Sequence, residues 1–272
     1  MVDHVILALR MAPDWAGFAR DHAAGIAIDP ARYIPTHNPR FPGNVPAMIQ
    51  RWDRLSAVPF FACRERLRAI AAGTLARVRG VTFTQWSGVP DLLAGLNGAP
   101  FLLFYHDDDD WFDPQMADAL RGLDTETFDA VLFPMPVLAK HVRTFTRGGR
   151  PSAVAVGHCV QFEHRYHTNN YGLTRRAVAA GGLEQLMEHT GASETARALR
   201  FTDLYIDRII SATSKTPCSA SRLGHNPGHK DAFRTYVQAY IGELQAITLP
   251  PGSEWIAQPL RETIELFQMA LG

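Results

Sequence analysis

The run Phe101-Leu102-Leu103-Phe104-Tyr105 is apolar at every position, and it passes through His106 straight into four aspartates, Asp107 to Asp110. A strand apolar at both odd and even positions belongs inside a sheet that helices cover on both sides, since a sheet face open to water would need alternate polar residues. The chain therefore leaves the middle of such a sheet and at once carries four like charges. Neighbouring carboxylates about 5 Å apart, in a medium of effective dielectric near 20, repel by roughly 3 kcal/mol, so the cluster needs a cation or raised pKa values. In open α/β sheets the ligand crevice lies just beyond the carboxyl ends of the strands, where this cluster falls.

The surrounding pattern fits such a sheet. His4 to Leu9 reads as a short buried strand, with a helix expected over Asp14 to Ala24, and the Pro-rich stretch 29–59 reads as a long surface excursion. Phe60 to Arg79 is helical in pattern, with Leu67, Ile70, Leu75 and Val78 on one face and Gly80 stopping it before a strand at Val81 to Thr84. A short helix over Pro90 to Leu96 ends at Asn97-Gly98, and Asp113-Pro114 supplies a cap and first-turn proline for a helix reaching about Leu123. Strands follow at Ala130 to Phe133 and Ala153 to Val160, then helical patterns near Thr174–His189, Glu194–Ser211, Ala232–Ile247 and Glu254–Ala270. The expectation is an α/β fold: a mixed sheet flanked by helices, with a mainly helical C-terminal part.

Composition narrows the partners. Twenty-seven Lys and Arg balance 27 Asp and Glu, which excludes a general field for coating nucleic acid. Basicity is uneven, however: residues 1–80 hold eleven Arg against five Asp and one Glu, so this part can face an anion. The three cysteines, Cys63, Cys159 and Cys218, form no metal-binding or redox spacing, and no secretory leader is evident, so a reducing, cytoplasmic setting is expected. No apolar run approaches the ~20 residues that cross a bilayer, which leaves peripheral association as the expected form of any membrane contact.

If the backbone stays extended through the cluster, Asp107 and Asp109 project to one side and Asp108 and Asp110 to the other. Hard cations such as Mg²⁺, and Mn²⁺ with similar oxygen ligands, take one or two carboxylates and keep positions open for phosphate oxygens. The stretch Leu96-Asn97-Gly98-Ala99-Pro100-Phe101-Leu102-Leu103-Phe104-Tyr105-His106-Asp107-Asp108-Asp109-Asp110-Trp111-Phe112-Asp113-Pro114 resembles the central motif of GT-A-fold, family-2-type glycosyltransferases, including rhamnosyltransferase-like members, whose first strand ends in an arginine as Leu9-Arg10 does. The resemblance implies a single domain over 1–272, with a nucleotide-binding half at 1–135 and an acceptor-side half at 136–272. It also implies Mn²⁺ or Mg²⁺ on Asp107 and Asp109, with Asp107, Asp108 and Asp110, together with Arg10, near the nucleotide-sugar. The implied activity is hexosyl transfer, expected to be inverting, to a carbohydrate or glycolipid acceptor in polysaccharide biosynthesis. The second strand departs from the family by ending in Thr84-Gln85-Trp86-Ser87 rather than in aspartates.

The remaining site residues each carry two readings. Trp86 either stacks on a nucleobase or packs locally. By resemblance the catalytic base is Asp203 first and Asp207 second, while their i,i+4 spacing on a helix equally describes a solvated face. Asn169 and Asn170 are expected to bind the acceptor or to lie on a polar strand. His225, in a Pro/Gly loop, either completes the metal shell or belongs to a turn. Two other classes stay open: a metal-dependent phosphohydrolase or nucleotidyltransferase, and a binding protein that holds a nucleotide-sugar without turnover.

Overall fold

A computed structural model describes residues 1–9, 24, 53–106, 110–135, 141–147, 150–156, 166, 170–187, 189–213, 230–249 and 251–272. The chain begins with β1 (His4–Leu9), and α1 (Phe60–Leu75) then leads to β2 (Thr82–Gln85). A single 3₁₀ turn at Trp86–Gly88 opens α2 (Val89–Gly95), which is followed by β3 (Phe101–His106). As expected, α2 stops where Asn97 and Gly98 both take left-handed backbone, at φ 49° and 92°.

After β3 come β4 (Asp110–Phe112), α3 (Met116–Leu120), β5 (Ala130–Leu132) and the antiparallel pair β6 (His141–Arg147) and β7 (Arg150–Val156). Next are β8 (Tyr171–Thr174), α4 (Arg175–Gly181), a 3₁₀ turn at Gln185–Met187 and α5 (His189–Leu199). β9 (Asp203–Tyr205), β10 (Ser211–Thr213), α6 (Lys230–Gln245) and α7 (Ala257–Leu271) complete the described elements.

Six strands form one mixed sheet in the order β2-β1-β3-β8-β5-β9, flanked by helices, and the C-terminal end is helical. All six residues of β3 are buried. Alternation divides its side chains: Leu102 and Phe104 join Leu7, Phe112, Val131 and Phe133 under one face, and Leu103 and Tyr105 join Ile6, Leu132, Tyr171 and Leu173 on the other. A third core gathers Cys63, Leu67, Val237, Tyr240, Leu260 and Phe267 from α1, α6 and α7. Trp111 of β4 is buried in that helical core while its neighbour Phe112 is buried under the sheet, so three residues of β4 join two cores.

Several elements differ from the sequence expectations. The helix expected over 194–211 ends at Leu199. Arg200 takes φ 55°, the Phe201 N–H reaches the Ala196 carbonyl at 2.8 Å and the Arg200 N–H reaches that of Arg197 at 3.3 Å, which is the pattern that closes a helix with a left-handed residue. Glycine ordinarily occupies that position, and an L side chain there costs about 1 kcal/mol. Beyond it the chain extends as β9 to pair with β5. The helix expected over 174–189 ends at Gly181, with Gly182 at φ 74°. Asp113 does not cap a long helix: its Oδ1 accepts from the Gln115 N–H at 2.9 Å in a turn, and α3 spans five residues beyond it. Strand β7 covers the first part of the run expected at 153–160; residues 157–160, like most of the helix expected at 14–24, lie outside the described residues.

Candidate active site at the carboxyl edge of the sheet

β1, β2 and β3 run parallel, and their last residues are in register: Leu9 pairs with Gln85 on one side and with His106 on the other. The residues that follow these three in the chain are Arg10, Trp86 and Asp107. β8 is antiparallel to both β3 and β5, so β5 shares the direction of β3, and the end of β5 and the start of β8 fall at the same edge. There the Phe133 N–H donates to the carbonyl of the fully buried Asn170 at 3.1 Å. Trp86 and Asn170, both selected from sequence, thus fall at one edge through backbone topology. Arg10, Asp107, Asp108, Asp109, Asn169 and His225 lie outside the described residues.

Asp110 is the described member of the acidic cluster. It is 0 % exposed at the start of β4, where it pairs in register with Thr213 of β10. Among the described residues no group of three His, Cys, Asp or Glu side chains could hold a metal ion. His106, also buried, sets its ring against Phe112 with centroids 5.1 Å apart and planes at 77°. Sequence reasoning gave this histidine no role; an ionisable residue ending an otherwise apolar strand was the available signal.

Trp86 is half-buried and meets Tyr105 edge-on at 5.8 Å. The aromatic row continues across the sheet, Tyr105 to Tyr171 at 5.5 Å and Tyr171 to Tyr166 at 4.9 Å. The Tyr105 hydroxyl donates to the Leu186 carbonyl at 2.8 Å and is in contact with the Tyr171 hydroxyl. Trp86 therefore packs locally, and its place at the end of β2 also puts it at the carboxyl edge.

The two carboxylates considered for the base lie on no helix. Asp203 begins β9 and pairs with Ala130, which pairs with Leu173, which pairs with Leu103. That register sets Asp203 three residues back from His106, about 10 Å along the strands, and three strand spacings, about 14 Å, across the sheet. Asp203 is therefore not brought to the end of β3. Instead its Oδ1 accepts from the Tyr166 hydroxyl at 2.7 Å. Desolvation raises its pKa, the Tyr166 hydrogen bond partly opposes that, and the charge of Asp129 adds to the rise. Burial, and then the Asp203 hydrogen bond, hold the Tyr166 phenol well above its usual range.

Asp207 lies differently. The Ile206 N–H donates to the Leu132 carbonyl at 2.9 Å, so the chain leaves β9 at the carboxyl edge, and Asp207 is exposed there. The neighbouring Arg208 donates to Asp113 Oδ2 at 2.7 Å, and the Asp113 N–H donates to the Ile210 carbonyl at 3.0 Å. Asp113 is 4 % exposed. This pair, which the sequence reading did not single out, clasps the segment after β9 against the end of β4. An arginine directly after Asp207 was the only sequence sign of it.

No protein-family model and no curated protein matches the chain. Among solved structures it is similar to the crystal structure of S. aureus TarS residues 1–349, with a TM-score of 0.33 and 11% identity over 97% of this chain and 71% of that one. It is also similar to a Bacillus anthracis protein named as a glucose-1-phosphate thymidylyltransferase, in complex with a sucrose, with a TM-score of 0.33 and 10% identity over 93% of this chain and 99% of the other. Both likenesses are distant. No helix among the described residues is long and apolar enough to cross a membrane.

Proposed function

We propose that the chain is a metal-dependent glycosyltransferase that takes a sugar from a nucleotide donor to a carbohydrate or other hydroxyl acceptor. One observation supports this reading above the rest: the register that sets Leu9, Gln85 and His106 side by side, so that Arg10, Trp86 and the aspartate cluster all follow from one sheet edge. An arginine for a diphosphate, an aromatic for a base and clustered carboxylates for a cation are the parts that such a donor requires.

The donor set is all carboxylate oxygen, which suits Mn²⁺ or Mg²⁺ rather than a softer metal, and Asp107 and Asp109 are the residues that would hold it. When bound, the ion neutralises charge on the departing diphosphate. Arg10, the next residue in the chain after Leu9, would add a positive charge. Of the two carboxylates considered as general base, the proposal takes Asp207, because the chain carries it out at the carboxyl edge and Asp203 starts its strand three residues back. An exposed carboxylate there can accept the proton of an incoming hydroxyl.

The test is calorimetric titration of UDP, dTDP, GDP and CMP, with and without Mn²⁺, into the wild type and Asp109→Asn. Metal-dependent binding of one nucleotide, lost in the variant, is the expected result. Failure of all four to bind, or equal binding by Asp109→Asn, would reject the donor site.

A further inference from the structure

A cleft of about 550 Å³ opens between α5 and the β9 edge of the sheet, lined by Tyr166, Ser193, Arg197, Arg200, Phe201 and Asp203. It belongs to the opposite end of β9 from Asp207, three strands from the exit of β3. We propose that this cleft is a second small-molecule site, taking an oxyanion, carboxylate or phosphate, carried on a six-membered ring.

The position of Arg200 carries the inference. It occupies the left-handed residue that closes α5, at φ 55°, where glycine would cost the fold least. An L side chain in that backbone points to use of the side chain, and Arg200 lines the cleft. Arg197, one turn earlier in α5, lines the same wall. Among the described residues neither guanidinium has a hydrogen-bond or ion-pair partner, so both forks can face a planar oxyanion.

The rest of the lining orients the occupant. Asp203 does not pair with either arginine, because its Oδ1 is taken by the Tyr166 hydroxyl at 2.7 Å. The cleft is thus cationic at its α5 wall and carboxylate-bearing at its strand wall. An anion enters with its charge toward Arg197 and Arg200, and its ring packs on Phe201 and Tyr166. The Ser193 hydroxyl provides one further polar contact.

The experiment is isothermal titration of phenyl phosphate, benzoate and phenol into wild type, Arg200→Gly and Arg197→Gln, with thermal melts of each protein. Phenyl phosphate or benzoate should bind the wild type, and whichever binds identifies the oxyanion; phenol should not. Arg200→Gly should lose about tenfold or more in affinity while its melting midpoint holds or rises, and Arg197→Gln should weaken binding similarly. The proposal is overturned if neither anion binds the wild type, if Arg200→Gly binds as well, or if its midpoint falls, since a fall would show that the arginine serves the fold. None of these outcomes bears on the nucleotide titrations, which probe the other edge of the sheet.

Discussion

Among single residues, Asp203 gives the sharpest expectation. Its folded pKa is raised by desolvation, so the fold prefers the protonated carboxyl. The native state then holds the proton more tightly than the unfolded chain, and stability falls as pH climbs from about 4 through the raised value. Asp203→Asn retains an oxygen to accept from Tyr166 and removes the charge. Its melting midpoint should equal or exceed that of wild type at pH 8, with the difference closing below about pH 4. A variant that melts lower at pH 8 than at pH 3, relative to wild type, would show that the charge is stabilising. At this scale the acidic cluster expected after the apolar strand is described only at Asp110, which is buried at the start of β4. Asp203 was misplaced because its surroundings come from Tyr166 and Asp129, 37 and 74 residues away in the chain. The Arg208 pair with Asp113 was invisible for the same reason, since its partners are separated by 95 residues.

At the scale of elements, legibility followed how each element is stabilised. β3 could be read because burial on both faces writes an unbroken apolar run, and α2 because Asn97 and Gly98 mark its end. β9 was absorbed into an expected helix, since Asp203–Tyr205 is three residues whose extended form depends on pairing with β5. Of β8 only Thr174 fell within an expected helix; its four residues are held between two antiparallel partners. One glycine sets how closely β8 approaches β3. A Cβ on Gly172 would strike the ring of Phe104, which is buried under the sheet. Gly172→Ala should therefore cost about 1–3 kcal/mol in denaturant unfolding, through overpacking rather than backbone strain. Restoration of stability by the double variant Gly172→Ala with Phe104→Leu would locate the cost at that contact.

For the whole molecule, the expected class of an α/β sheet flanked by helices with a helical C-terminal end is the class observed, because alternation of apolar runs is a global property that survives local misreadings. What could not be read was how the cores are joined. Trp111 is 0 % exposed among residues of α1, α6 and α7, while the adjacent Phe112 serves the sheet. Trp111→Ala should cost about 3–5 kcal/mol and lower the cooperativity of unfolding, seen as two partly separated calorimetric transitions; one sharp transition of unchanged midpoint would contradict that role. The order of strands also bears on how the chain is made. β8 lies between β3 and β5 yet is synthesised after both, so a nascent chain has an open apolar strand edge at β3 and no place for β5 until residue 174 has emerged. During that interval the β3 edge is free to pair with other chains, and C-terminal truncations short of β8 should collect in inclusion bodies rather than fold as smaller domains.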